Sequence, residues 1–376
     1  MGKPMPLLSN KGKSFQGSIV LGKGFVLSTE EAEKLIKKDM RNKDVLFPYL
    51  NGDDLNSDPE QKPSRWVINF FDWDEEKAKT YPDCYEIVEK LVKPERERPH
   101  NTMGRKLWWQ FYRRGVALYN AISELDQVIV IAQVSKTTAF AFTKPNKVLD
   151  AKLNVFASNS FLMFTFLQSN LHIYWAWKYS STMKSDLSYA PTQAFETFPF
   201  PEEISKDIRN DIEDLGKSYY NLRKLIMSKY KIGLTRFYNI YHSKGIQEEI
   251  DARDKHLSLL KKHLTRVQTN IETKEIISDF SEFRRIAIEL DKIIIRSYKW
   301  SDVDLNHNFY ELEYLPENDR IRFSVHPDAR KEILKRLLML NHQSYKKEVS
   351  EDSKNIKAKH KKTGNKKKED NFPKLF

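Results

Sequence analysis

The stretch Ser180 to Pro201, SSTMKSDLSYAPTQAFETFPFP, sets Lys184 and Asp186 one residue apart in a polar segment between an aromatic run and a proline-rich stop. A lysine ammonium donates to O6 and N7 of guanine, and an aspartate accepts from N4 of the paired cytosine. If the segment is extended, Lys184 and Asp186 face one side and Ser185 the other, so the pair can touch both edges of one G·C base pair. A surface ion pair worth under roughly 1 kcal/mol accounts for the same residues. Two further stretches combine polar groups with cations. GRKLWWQFYRRG, 104–115, sets Arg105, Lys106, Arg113 and Arg114 around Trp108, Trp109, Phe111 and Tyr112. Arginines there fit phosphate while the rings anchor the segment in a core, and a solvated amphipathic edge is an equal reading. In QVSKTTAF, Ser135, Lys136, Thr137 and Thr138 follow an apolar run. Loops at strand ends are favoured places for function, although a plain polar turn has the same composition. With the hydroxyls of Ser181 and Ser185 these residues are the candidate DNA contacts.

Other chemistries find little support in the chain. Methyl transfer to DNA needs a glycine-rich turn for the methionine cofactor and an Asn/Asp-Pro-Pro-aromatic turn for the flipped base, and neither string occurs. GKGF, 22–25, is too short to cradle a nucleotide and reads as a turn. A metal-dependent nuclease needs acids converging on a divalent ion. NGDDLNSDPEQK offers Asp53, Asp54, Glu60 and Lys62, but Pro59 and Pro63 flank the portion that a strand would carry. A loop turning at Asn51-Gly52 is the blander account. The nine histidines contain no zinc-protease pair, and His172, inside an aromatic-rich segment, reads as a core residue.

These side chains need elements to hold them. With 376 residues, 40% apolar and 12% aromatic, the chain can bury a core of two or three domains. Its net charge of +12 suggests a polyanionic partner, nucleic acid before membrane. Nine lysines against four acids from Glu351 to Phe376 place about +5 of that in the tail. The single cysteine, Cys84, excludes an internal disulfide framework and reads as a buried thiol in a reducing cytoplasm. No apolar run is long enough to span a bilayer and no signal peptide is evident, so a soluble cytoplasmic protein is expected.

Residues 1–201 read as a mixed α/β domain. RWVINFF (65–71), QVIVIAQV (127–134) and TAFAFT (138–143) read as strands, and STEEAEKLIKKD as a helix capped by Ser28 or Thr29. Pro199 and Pro201 close this domain. Residues 202–350 read as helices, from the spacing of Leu257, Leu260, Leu264, Val267 and Ile271, of Phe283, Ile286, Leu290 and Ile293, and of Ile333, Leu334, Leu337 and Leu338. Residues 351–376 have little to bury and are expected to be a disordered lysine-rich tail. The fold class is α+β.

SFQGSIVLGKGFVLSTEEA, PYLNGDDLN, PSRWVINFFDW, VKPERE, WWQF and FETFPFP, in this order, resemble the target recognition domain of MmeI-like restriction and modification enzymes. LDKIIIRSYKWSDVDL and RKEILKRLLMLNHQSYKKE resemble that family's C-terminal helical domain, so the likeness covers about residues 10 to 349. The resemblance implies recognition of double-stranded DNA. It places the base-reading pair in MKSDLSY, where members with Lys and Asp are expected to read G and members with Glu and Arg to read C. The family's nuclease and adenine-specific methyltransferase domains lie upstream of the first block, which begins here at Ser14. The chain is therefore expected to hold neither S-adenosylmethionine nor Mg²⁺ and to work with a separately encoded methyltransferase or nuclease subunit. The rivals are a small nuclease using Asp53, Asp54 and Glu60, and a helical protein-interaction module.

Overall fold

The computed structural model describes residues 2–97, 106–244, 255–266 and 273–364. Two four-stranded sheets organise the first half. In one, the strands β1 (Ser14–Gln16), β9 (Leu153–Phe156), β5 (Val128–Ala132) and β7 (Ala141–Thr143) lie antiparallel in that order. The VIVIA run of β5 is buried at every position, as expected of a strand covered on both faces. In the other, β2 (Val26–Ser28), β4 (Arg65–Ile68) and β3 (Leu46–Leu50) are antiparallel, and β8 (Val148–Leu149) joins β3 in parallel. Ser28 ends β2 and caps the helix Thr29–Lys38 through a full capping box with Glu31, the start signal read in the sequence.

The expected strands are shorter than their sequence blocks. RWVINFF supplies only Arg65–Ile68, and TAFAFT only Ala141–Thr143. Side chains explain the second case: Gln168 accepts from Phe140 N at 3.0 Å and donates to Thr138 O at 3.3 Å, and Arg223 donates to Phe140 O at 2.6 Å. Backbone groups satisfied in this way do not need a ladder partner. The GKGF turn is a short 3-10 helix, Lys23–Phe25, preceded by Gly22, which takes φ of +141° against Val92.

Beyond Pro201 the chain is mainly helical: Lys206–Tyr230, Leu234–Tyr241, Lys255–Arg266, Thr273–Ser297 and Pro327–Gly364. A hairpin of β12 (Asn308–Glu311) and β13 (Ile321–Ser324) interrupts them. The expected helical stripes bury Leu260, Leu264, Phe283, Leu290, Ile333, Leu337 and Leu338, whereas residues 267–272, with Val267 and Ile271, lie outside the described residues. In the helix Lys206–Tyr230, Ile208, Ile212, Leu215, Tyr219, Leu222 and Ile226 keep the same alternation of three and four, and the buried stripe also takes in Gly216 and Arg223.

The tail expected to be disordered continues the last helix to Gly364, and residues 365–376 lie outside the described residues. No proline or glycine falls between Asp328 and Thr363. A helix already nucleated by buried Ile333 and Leu337 extends readily through lysine and alanine.

One apolar cluster, running from Leu50 to Leu338, unites the first sheet with the helices on both sides of Pro201. Tyr298 donates to Pro199 O at 2.9 Å and Asn341 to Thr197 O at 2.7 Å, which ties the proline-rich segment to the C-terminal helices. A second cluster, with Phe25, Val67, Cys84 and Trp108, fills the space around the second sheet. Among the described residues, no helix is long and apolar enough to cross a membrane.

Helix Lys206–Tyr230 crosses helix Phe161–Gln168 at Gly216, where an added Cβ would overlap Thr165 Oγ1 and stand 3.2 Å from Phe161 O. Gly216→Ala should therefore lower stability by about 1–3 kcal/mol through overpacking, although alanine favours the helix. The denaturation midpoint, at unchanged slope, measures this, and a rise in midpoint would contradict it.

Candidate nucleic-acid interface

The segment with Lys184 and Asp186 is a hairpin of β10 (Ser181–Met183) and β11 (Asp186–Ser188), with Ser181 paired to Ser188 and Met183 to Asp186. Lys184 and Ser185 form its two-residue loop, and Lys184 has φ of +58°. Hairpin loops of this length favour positive φ, so the backbone here follows the turn rather than an extended strand. The expected alternation, with Lys184 and Asp186 on one side and Ser185 on the other, is thus replaced by a tip that carries Lys184 in left-handed geometry, with Asp186 at the first strand position beyond it. A lysine in that region costs about 1–2 kcal/mol, which the surrounding ladder must hold in place.

Ser181, Thr182, Met183 and Lys184 are exposed, and Ser185 and Asp186 are half-buried. The alternative of a Lys184–Asp186 ion pair is not formed, and neither residue has an ion-pair partner among the described residues. Leu187 and Tyr189 are buried, so the far strand is anchored while the tip projects.

The structure brings two of the three candidate stretches together. The strand β6 (Val134–Ser135) pairs with β11, setting Ser135 opposite Leu187. Ser135 Oγ accepts from Thr137 N at 3.0 Å, a local turn that fixes the loop. Lys136 is not free, as it forms an ion pair with Asp319 at the turn between β12 and β13, and Asp319 also pairs with the buried Arg322.

Two glutamines that the sequence reading passes over join the third stretch to the same region. Arg113 donates to Gln16 Oε1 at 2.6 Å and to Gly17 O at 3.1 Å. Gln16 in turn donates to Gln133 Oε1 at 3.4 Å and to Ala151 O at 2.7 Å. Gln133 O accepts from Tyr189 N at 2.7 Å, at the base of the hairpin. The only local signal for this chain of contacts is an amide residue at the end of β1, Gln16, and another just after the apolar run of β5, Gln133.

Arg114 turns away from Arg113 and lines a separate pocket with Phe71 and Lys147. Trp108, Trp109 and Phe111 are buried, as expected of ring anchors. Arg105 lies outside the described residues, while Lys106 is exposed.

Beneath the hairpin, His172 is fully buried, and its Nε2 lies 2.8 Å from the Tyr189 hydroxyl. Asn154 donates to Tyr189 O at 3.0 Å. Burial pushes the His172 pKa down to about 3, so the ring is neutral and serves the core.

Of the acids considered for a nuclease, Asp54 and Glu60 have structural partners instead, and Asp53 is exposed on the first turn of a helix. Asn51, expected in a loop turn, caps the helix Gly52–Ser57 by accepting from Asp53 N and Asp54 N. The buried Asp54 accepts from Asn51 Nδ2 at 2.9 Å and Ser64 N at 3.2 Å, and Glu60 pairs with Lys62. Among the described residues, no three His, Cys, Asp or Glu side chains converge as metal ligands would.

A family model for the target recognition domain of MmeI matches residues 8–202, just over half of the chain. The fold is similar to the solved structure of the Type IIL restriction-modification enzyme MmeI in complex with DNA, with a TM-score of 0.57 and 13% identity. That likeness covers 92% of this chain and 37% of the other, so the chain spans little more than a third of the enzyme. No curated protein matches.

Because unfolding lets His172 take up a proton, its contribution to stability is full above about pH 6.5, the ordinary imidazole value, and is lost as the pH falls toward about 3. The loss should approach about 1.4 kcal/mol per pH unit. Denaturant unfolding of the parent chain and of His172→Phe across this range should show that component only in the parent. Parallel curves would show that the imidazole is not held neutral.

Proposed function

The chain belongs to the family of the MmeI target recognition domain, through residues 8–202, and from that premise we propose that it reads a short sequence in double-stranded DNA for a restriction-modification system. The observation that carries this reading is the projecting hairpin tip, whose Lys184 and Asp186 have no internal ion-pair partner among the described residues. Both are reachable by a duplex, and their chemistry complements the two halves of one G·C pair.

In this reading Arg113, Arg114 and, outside the described residues, Arg105 contact phosphate and set the register on DNA. Ser181, Ser185 and Ser135 donate or accept beside the base-reading pair. Lys136 contributes to the field but reaches phosphate only by leaving Asp319. The lysine-rich C-terminal segment adds sequence-independent, salt-sensitive attraction.

Adenine methylation and cleavage, with S-adenosylmethionine and Mg²⁺, belong to catalytic domains outside this sequence. We assign those domains to a separately encoded methyltransferase or nuclease subunit, in a cytoplasmic system that marks or destroys DNA by sequence, as in defence against phage.

Selection from a pool of randomised duplexes, with the full chain alone and with its methyltransferase, tests the reading. Lys184→Glu combined with Asp186→Arg should change the preferred base at one position, by roughly 5- to 150-fold for a contact worth about 1–3 kcal/mol. Equal weakening at every sequence would overturn direct reading by the pair.

A further inference from the structure

We infer that a pocket apart from the hairpin binds one unstacked nucleotide, its base against Phe71 and its phosphate between Arg114 and Lys147. The pocket has a volume of about 340 Å³, within the range of small-ligand sites. None of its walls comes from the hairpin, so this site stands or falls independently of base reading at Lys184 and Asp186.

The backbone supplies the first argument. Phe71 follows β4 with φ of +53°, a left-handed conformation in which a bulky residue is an outlier. Its N–H donates to Asn69 Oδ1 at 2.9 Å, and its ring meets Phe47 edge-on and leans on Trp73, each at a centroid distance of 5.4 Å. Despite these restraints, 36% of the residue stays exposed, so the strain does not serve burial. Retained strain at a solvent-facing aromatic points to a ligand.

Charge supplies the second. The bridge between Ile19 and Arg113 extends the chain there, and alternation turns Arg114 to the opposite side, onto the pocket wall. Lys147 comes from the segment that leads into β8. Its half-buried ammonium has one neutral partner, Thr143 Oγ1 at 3.0 Å, and burial, with Lys144 nearby, holds its pKa below the ordinary lysine value. Among the described residues, neither cation has a carboxylate within ion-pair distance. Two unpaired cations beside an aromatic wall fit an anion with a flat apolar body, which a nucleotide is and a bare phosphate is not.

Asn69 spends its carbonyl oxygen on Phe71, which leaves its amide N–H groups for a base edge. Asp72, exposed on the rim, can accept from an exocyclic amino group. The same nucleoside monophosphate unit can come from a free nucleotide or from an unpaired nucleotide of a DNA strand.

Calorimetric titration of the full chain with dAMP, deoxyadenosine and inorganic phosphate tests the site. Binding of dAMP should exceed that of either fragment. Phe71→Gly suits the left-handed backbone and should leave thermal unfolding cooperative, yet weaken dAMP about 5- to 150-fold through loss of stacking. Lys147→Met should weaken it as well, with Arg114→Gln as the alternative if that variant misfolds. A duplex with a one-nucleotide overhang bound more tightly than a blunt duplex, by a margin that Phe71→Gly removes, identifies a DNA strand as the source. The same loss seen only with dAMP identifies the free nucleotide. No binding of dAMP or preference for the overhang, phosphate binding equal to dAMP, or full binding by Phe71→Gly would overturn the inference.

Discussion

Arg223, on the helix Lys206–Tyr230, is a cation sealed inside the apolar cluster, with 1% of its surface exposed and, among the described residues, no carboxylate within ion-pair distance. A buried charge left unpaired is severely destabilising, so its donors need partners. They find Phe140 O at 2.6 Å, Tyr238 hydroxyl at 2.8 Å and Gln168 Oε1 at 3.3 Å. The rings of Phe164, Tyr219, Tyr220 and Tyr238 surround the guanidinium at 5.5–5.9 Å. Strand exit, aromatic helices and C-terminal helices are thereby locked in one arrangement, because moving any of them strands a charge.

That lock governs the interface at one remove. The segment Thr138–Phe140, which Gln168 and Arg223 hold, is separated from Ser135 and Lys136 only by Thr137. Ser135 lies against the hairpin through β6 and β11, and Lys136 against the C-terminal hairpin through Asp319. The tip with Lys184 and Asp186 is therefore a projecting turn on a rigid base. Tyr189 is the pivot of that base, held at its N–H by Gln133, at its carbonyl by Asn154 and at its ring by His172. Rigid support beneath an exposed polar tip is what side-chain reading of a base edge requires.

The two apolar clusters divide the labour of the chain. The one containing Arg223 carries the hairpin and joins it to the C-terminal helices. The other carries the aromatic anchors Trp108, Trp109 and Phe111. Arg113 and Arg114 leave the end of those anchors in opposite directions, one toward the glutamines and the hairpin, the other toward the pocket at Phe71.

Local rules made part of this legible. The capping box at Ser28 and Glu31, the buried run of β5, the ring anchors and the core role of His172 follow from residue types a few positions apart, because caps, periodicity and hydrophobicity act at short range. The turn at the tip of the hairpin is not legible in the sequence because no glycine or asparagine marks it, and strand pairing rather than loop chemistry imposes positive φ on Lys184. What the pattern of the helix Lys206–Tyr230 does not reveal is the role of Arg223, because the groups that satisfy this buried charge lie far away in sequence. The sequence by itself determined the inventory: an α+β chain with cations, aromatics and a Lys/Asp pair suited to DNA. Tertiary structure decided which of these meet, setting Gln16 against Gln133, Lys136 against Asp319 and Arg114 beside Phe71, because the groups that satisfy a buried or half-buried polar side chain are chosen by the packing of segments remote in sequence.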